Sequence, residues 1–494
     1  MTLFKRTALG LIGAFLLTPA SHAGTVYIPQ RGEWMWDTWV MQEGEEYHLF
    51  HLSKDGGIGR AVSKDLIHWK QLPMIRNLAK PGDWDEKGML LTGSTVKHDG
   101  RYYLSYGSKH PEPLGYLVSD DLKNWSRLGD PVLPSRLPYA QDWRDLSNYW
   151  DSQANLWHGC LCARYKGMPC VGHVSSPDLV RWTHHEPFFT SEPYTRDNNG
   201  FVEFEVPEMF ELGGKHYIVF SSIRSRKNFT SGREDASGTW YLVADRKEGP
   251  YSVPNNPLLM GTGMGRIDHY VGRTILRNGK RVMYCQNWGP YSGVNWSTPK
   301  LVHASDSHDL SLKYWPELDV LKKEKLYSAA SLRIKTDADK QNQIHDIDKL
   351  TASDFMLTCD LDAAKAASCT ITWRSALPLS PPNSEKTPTY GLKVEPKDGC
   401  FSLVQVVPSL HFGGNTYQSY INDRYKNKFL CSSGKLQIRI MVRHNRSEVY
   451  ANDIWLFNIG PRDMLPKGGF SIISEKGEVN ISNLEIFALE ELKS

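Results

Sequence analysis

Apolar and polar residues alternate with a period of two along many short stretches of this chain. Tyr47-His48-Leu49-Phe50-His51, Tyr102-Tyr103-Leu104-Ser105-Tyr106, His216-Tyr217-Ile218-Val219-Phe220 and Val282-Met283-Tyr284-Cys285 are examples. That period sends successive side chains to opposite faces, as a β-strand does. Each stretch follows a turn signal: Glu43-Gly44, Asp99-Gly100, Gly213-Gly214 and Asn278-Gly279. Such pairs admit the positive φ of a tight hairpin, so strand, turn and strand are predicted in each case.

The hairpins belong to a repeat. Ser63-Lys64-Asp65-Leu66-Ile67-His68-Trp69 recurs as Ser119-Asp120-Asp121-Leu122-Lys123-Asn124-Trp125 and as Ser176-Pro177-Asp178-Leu179-Val180-Arg181-Trp182. Looser echoes follow at Ala244-Asp245-Arg246 and Ser305-Asp306-Ser307, which makes five units. Five units of short strands predict a five-bladed β-propeller. A single blade is too thin to bury both faces, so neighbours must stack. An aromatic content of 11% supplies the bulk for that stacking. In the repeat itself the Asp is expected to tie a turn and the Trp to pack between blades. The pattern ends near Leu312, and a Lys-rich connector, Leu321-Lys322-Lys323-Glu324-Lys325, follows. Beyond it, alternation such as Leu436-Gln437-Ile438-Arg439-Ile440-Met441-Val442 predicts a sandwich. The fold class is therefore all-β: a five-bladed β-propeller over residues 24–320, then a C-terminal β-sandwich over residues 325–494.

Three acidic motifs stand at matching points of the repeat: Trp34-Met35-Trp36-Asp37, Trp143-Arg144-Asp145-Leu146 and Phe204-Glu205-Val206-Pro207-Glu208. Each is placed just ahead of a blade's first strand. First strands line a propeller's central channel, so Asp37, Asp145 and Glu205 should meet at its mouth. Acid–base chemistry on a sugar needs at least two positioned carboxyl groups, one protonated and one ionised. The second unit offers Leu91-Thr92-Gly93-Ser94 at the same point, and the fifth offers Ile267-Asp268-His269-Tyr270. Thr92, Ser94, Asp268 and His269 are candidates for holding substrate hydroxyls, against ordinary turn and cap duty. Arg144 is a candidate for orienting substrate or a carboxylate, against a plain salt bridge. Alternation puts Trp36 and Trp34 on one face, where rings stack on sugar faces or pack between blades. The expected partner is an oligo- or polysaccharide.

Composition and the ends limit the alternatives. A net charge of +3 without a long basic run gives nucleic-acid binding no support. Met1-Thr2-Leu3-Phe4-Lys5-Arg6, an apolar run from Ala8 to Leu17, and Pro19-Ala20-Ser21-His22-Ala23 read as a signal peptide over residues 1–23. It implies a secreted or periplasmic protein, and no later stretch has the length of a membrane span. Eight cysteines suit an oxidising compartment. Spacing does not fix their connectivity; the expected pairs are Cys359 with Cys369 and Cys400 with Cys431. Cys160-Leu161-Cys162 with Cys170 lacks the His and Cys spacing of a zinc site, so neither metal nor cofactor is expected.

Taken in order, these motifs resemble glycoside hydrolase family 32, the β-fructofuranosidase, levanase and inulinase family. Trp34-Met35-Trp36-Asp37 is similar to the family's Trp-Met-Asn-Asp-Pro-Asn-Gly, Leu91-Thr92-Gly93-Ser94 to Phe-Ser-Gly-Ser, Arg144-Asp145-Leu146 to Arg-Asp-Pro, and Glu205-Val206-Pro207-Glu208 to Glu-Cys-Pro-Asp. Ile58-Gly59-Arg60-Ala61-Val62-Ser63 is similar to Trp-Gly-His-Ala-Val-Ser. Downstream, Arg446-Ser447-Glu448-Val449-Tyr450-Ala451-Asn452-Asp453 is similar to the sandwich motif Ser-Ser-Val-Glu-Val-Phe-Asn-Asp. The resemblance implies a propeller joined to a sandwich. It also implies that Asp37 is the nucleophile, Asp145 the transition-state stabiliser and Glu205 the acid/base of a retaining fructofuranosidase. The chain departs from the family where Trp36 replaces an Asn, Thr38-Trp39-Val40 replaces Pro-Asn-Gly, and Leu52 replaces a Gln. Indoles in place of amides fill space and remove hydrogen-bonding groups, and a site selects by the hydroxyl pattern it can bond. An arabinofuranosidase-like glycosidase and a non-hydrolytic carbohydrate-binding propeller therefore stand as alternatives.

Overall fold

The computed structural model describes residues 25–491, apart from 30–33, 109–112, 193–199, 224–236, 263–268, 290–292, 348, 377–378, 380–388, 409–415, 421–424, 427–434, 444–445 and 460–464. Its alternating stretches form strands, and five sheets of the first half are the blades. The first blade runs Trp36–Glu43, Glu46–Leu52, Ile58–Ser63 and Lys70–Ile75, each strand antiparallel to the one before. The second runs Thr95–His98, Arg101–Tyr106, Gly115–Ser119 and Ser126–Arg127. The third runs Tyr139–Asp151, Leu156–Tyr165, Met168–Ser176 and Thr183–His184, and the fourth Glu205–Leu212, Lys215–Ile223, Ser237–Ala244 and Leu258–Thr262. The fifth is built from Tyr270–Arg277, Lys280–Gly289, Lys300–Ala304 and Leu310–Lys313. Gly293–Ser297 also pairs with its second strand, and Thr25–Tyr27, from the start of the chain, pairs with Gly293–Ser297. The fifth blade is thus completed by the segment that leads into the first.

Local chemistry explains the hairpins. Asp99 and Gly100, Gly213 and Gly214, and Asn278 and Gly279 all have positive φ, the geometry whose twist matches the flanking strands. The repeated phrase forms the turn from third to fourth strand. Asp178 Oδ1 accepts the N–H groups of Val180 and Arg181 at 3.0 and 2.8 Å, and Asp65 and Asp121 do the same in their copies. Leu66, Leu122 and Leu179 take positive φ at the crest and bury their side chains. The blades pack through aromatic and aliphatic residues such as Trp39, Phe50, Tyr102 and Leu104 between the first and second.

One detail differs from the alternation reading. The acidic motifs lie inside the first strands, not ahead of them: Asp37 in Trp36–Glu43, Asp145 in Tyr139–Asp151 and Glu205 in Glu205–Leu212.

After a short 3₁₀ segment, Pro316–Leu321, the chain builds two facing sheets. One contains Lys322–Lys335, Glu478–Leu489, Phe355–Lys365, Lys435–Arg443, Arg446–Ala451 and Ile454–Ile459. The other contains Asn342–Asp346, Gly469–Glu475, Ser368–Ser375, Thr389–Glu395, Cys400–Pro408 and Thr416–Tyr420. Phe355, Trp373, Leu403, Ile440 and Phe470 fill the space between them. A single pairing, Lys313 with Ile454, continues the fifth blade into the sandwich. Among the described residues, no helix is long and apolar enough to cross a membrane.

The expected Cys359–Cys369 disulfide is not formed. The two residues come from opposite sheets and lie as separate thiols in the sandwich core. Burial there pushes both thiols up, Cys369 to about 12, which suppresses the thiolate that disulfide exchange needs. They pack as small hydrophobic side chains. The other expected pair includes Cys431, which lies outside the described residues.

Candidate active site

Four of the five innermost strands break register at their motif: between Trp36 and Thr38, Arg144 and Ser147, Glu205 and Glu208, and Tyr270 and Arg273. Inside each break one residue has positive φ: Asp37 at 42°, Asp145 at 62°, Val206 at 50° and Val271 at 56°. That conformation costs an L-residue roughly 1–2 kcal/mol, and it is rare for a β-branched side chain. A bulge turns side chains out of the regular alternation and frees a backbone N–H from the ladder. Side chains of other blades take those N–H groups. Asp37 N–H donates to Gln286 Oε1 at 2.8 Å, Val206 N–H to Asp145 Oδ2 at 3.1 Å, and Val271 N–H to Ser221 Oγ at 2.7 Å.

The resulting contacts close a ring around the channel. Thr92 of the second-blade segment donates its hydroxyl to Asp37 Oδ2 of the first. Ser94 Oγ accepts from Asn148 of the third blade, from its N–H at 3.2 Å and its amide at 3.1 Å. Arg144 of the third blade donates to Glu205 Oε1 of the fourth at 2.8 Å. Tyr270 of the fifth donates its hydroxyl to Glu205 Oε2. Gln286 then links the fifth blade back to Asp37. Arg273, 3% exposed, spans the ring, reaching Ser147 Oγ at 3.1 Å and the carbonyl of Gly93 at 3.0 Å. Gly93 is required by a close approach, since a Cβ there would lie 1.7 Å from the Ser105 carbonyl oxygen.

Asp37, Asp145 and Glu205 are therefore brought together. Burial pushes Asp37 up to about 8, reinforced by the charges of Asp145 and Glu205 and opposed by Thr92 and Arg273. Burial also pushes Asp145 up, to about 6, against the pull of Arg144 beside it. Arg144 faces four carboxylates: Glu205 at 2.8 Å, Asp142 at 3.0 Å, Asp145 at 3.4 Å and Glu203 at 3.6 Å. Burial thus favours the protonated form of both Asp37 and Asp145.

The other sequence candidates fall in different places. Thr92 is 1% exposed and bonded to Asp37, and Ser94 is 8% exposed and bonded to Asn148. Trp36 stacks on the exposed Trp34 with ring centres 5.6 Å apart, while Trp39 is buried against Phe50. His269 is fully buried, its ring edge-on to Trp455 of the sandwich. Asp268 lies outside the described residues. The sequence reading passed over Tyr270, Arg273 and Gln286. Tyr270 closes the fifth unit's own motif and could have been read from it. Arg273 and Gln286 carry no local signal, because their roles arise from strands that cross the channel.

The architecture is a propeller with an acidic axial pit, backed by a β-sandwich. The profile of the "Glycosyl hydrolases family 32 N-terminal domain" matches residues 30–287, and the chain belongs to that family. Over 94% of its length it is 23% identical to a levanase of Bacillus sp. (strain L7), of which it spans 52%. It is 28% identical to a levanase of Bacillus subtilis (strain 168) over 43% of this chain and 32% of that one. The chain thus spans about half or less of these relatives. Among solved structures, fructan 1-exohydrolase IIa from Cichorium intybus superposes with a TM-score of 0.67 at 14% identity, covering 96% of this chain and 98% of that one. A GH32 β-fructofuranosidase from Bombyx mori superposes with a TM-score of 0.65 at 15% identity, covering 96% and 95%. These likenesses establish the five-bladed propeller and sandwich.

Proposed function

We propose that this protein hydrolyses fructofuranosidic bonds of the sucrose, levan or inulin type, with retention of configuration. The observation that carries the proposal is the meeting of Asp37, Asp145 and Glu205 in one pit, within a family 32 chain. Asp37 attacks the anomeric carbon and forms a covalent glycosyl-enzyme. Its bulged backbone and the Thr92 hydroxyl hold the carboxylate in one orientation. Glu205 gives a proton to the leaving oxygen and later takes one from the attacking water. Tyr270 and Arg144 fix its two oxygens. Asp145 holds sugar hydroxyls and stabilises the positive charge that develops on the ring. The apolar leader of residues 1–23 and the name of one relative, an "Extracellular exo-inulinase" from Aspergillus awamori, support action outside the cytoplasm.

One observation favours a second reading. Trp36, stacked on Trp34, stands where the family carries an amide, which suits a furanoside with fewer hydroxyls to bond, such as an arabinofuranoside. Product chromatography after incubation with sucrose, levan, inulin and arabinan separates the two. Fructose release from at least one fructan, lost in Asp37→Asn with the fold intact, is the expected result. Release of arabinose alone transfers the mechanism to the second substrate. No release from any of the four, with tight sugar binding, overturns hydrolysis.

A further inference from the structure

Away from the channel, a groove of about 900 Å³ opens between the first and second blades. Its volume lies within the range of small-molecule sites. Arg60 lines it from the middle of Ile58–Ser63. Strand alternation puts Arg60 on the same face as Ile58 and Val62, the face that packs against the second blade. Ile58 is buried in that interblade core. An apolar residue would serve the fold at Arg60, yet a guanidinium occupies it and is 5% exposed. Among the described residues its side chain makes no hydrogen bond or ion pair; Asp121 acts on it only through space. The guanidinium therefore reaches the groove with its donors unclaimed by the protein, placed to bond a molecule held there.

A second departure borders the same groove. In the first and third copies of the repeat, the Trp indole N–H donates to the carbonyl three residues before it: Trp69 to Leu66 and Trp182 to Leu179, both at 3.1 Å. Trp125, in the second copy, does not. Its indole N–H is buried without a partner, and its ring stands edge-on to Phe50 with centres 6.1 Å apart. The indole gives up the repeat's own hydrogen bond and lines the groove together with Tyr102. Charge along the walls is balanced: Glu43, Glu46 and Asp121 stand against Arg60, Arg76 and Lys123. Such a lining does not select a strong anion or cation. It offers donors, acceptors and aromatic surface together, the combination that recognises a hydroxyl-rich neutral molecule.

We propose that the groove between the first and second blades is a second saccharide-binding site, which holds a neutral oligosaccharide by hydrogen bonds from Arg60 and by contact with Trp125. The site is independent of hydrolysis in the pit, so neither assignment depends on the other.

The test uses the full chain carrying Asp37→Asn, so that no probe is consumed. Calorimetric titration with short fructo-, arabino-, malto- and cello-oligosaccharides should reveal, for at least one of them, a binding event besides that of the pit. Adding Arg60→Leu, which suits the apolar face and should preserve folding, should weaken that event by at least about tenfold, the value of a hydrogen bond from a charged group. Arg60→Lys tests whether the fork or only the charge matters, and partial retention is expected. In the otherwise unaltered protein, Arg60→Leu should leave turnover of a small soluble substrate unchanged. A single binding event for every probe, a second event indifferent to Arg60→Leu, or competition by inorganic phosphate in place of sugar would each overturn the proposal.

Discussion

At the scale of single residues, the pit is a balance of buried charge. Asp37 is held near pH 8 by burial and by Asp145, and Thr92 and Arg273 pull it down. Removing the Thr92 hydroxyl takes away a group that favours the ionised form. Thr92→Val should therefore raise Asp37 further and move the acid limb of kcat/KM to higher pH. A pH–rate profile that stays in place would show that the hydroxyl does not tune this carboxyl. Stability follows the same charge. The folded value of about 8 exceeds the ordinary 3.8, so the fold favours the protonated form. As pH rises between those values the unfolded chain releases this proton while the fold keeps it, so stability falls, by about 1.4 kcal/mol per unit before neighbouring charges readjust. Asp37→Asn keeps an acceptor for Thr92 and removes that cost. Its melting temperature should exceed the parent's at pH 8, with the gap closing toward pH 4, while turnover falls by about 10⁴ or more. Identical melting curves for the two proteins across that range would sink the assignment of the buried charge.

At the scale of elements, the scaffold and the site use opposite devices. The repeated Asp turns were legible from the phrase alone, because Asp65, Asp121 and Asp178 bond backbone groups two and three residues ahead. Asp178→Ala should lower stability by about 1–2 kcal/mol, as loss of a cap does, and leave kcat unaltered. A fall in kcat comparable to that of a pit variant would mean the turn reaches the site. The bulges were not legible. Positive φ at Val206 and Val271 contradicts local preference, and only contacts from other blades, Asp145 and Ser221, sustain it. The strand placements erred at this same point. Alternation locates a strand's regular part, and the motifs sit where the alternation is broken.

At the scale of the whole molecule, the sandwich is locked to the propeller through a buried charge pair. Lys300 of the fifth blade meets Glu448 of the sandwich at 2.9 Å, both fully buried. Tyr450 and Asn458 donate to Glu448 at 2.8 and 2.9 Å, and Lys300 also donates to the Thr298 carbonyl at 2.9 Å. Glu448→Gln leaves the lysine's charge without its counter-ion, which should cost about 3–5 kcal/mol. Lys300→Met combined with Glu448→Leu should recover part of that loss, as a double-mutant cycle in urea would record. Equal destabilisation by the single and double variants would deny the pair its role. Resemblance to the sandwich motif drew attention to the segment of Glu448, but nothing in the sequence pointed to Lys300. The expected Cys359–Cys369 bridge is the converse case, since an even number of cysteines allowed a bond that the packed core does not contain.

The period-two alternation, the five recurring units and the spacing of Asp37, Asp145 and Glu205 were written in the chain itself, because each depends on neighbours a few residues away or on one unit copying another. Which groups would surround those carboxyls was decided only when the blades closed on themselves. Tyr270, Arg273 and Gln286 reach the pit across strands far apart in the chain, and burial, which sets the charge of Asp37, is a property no stretch of sequence possesses before the rest has folded over it.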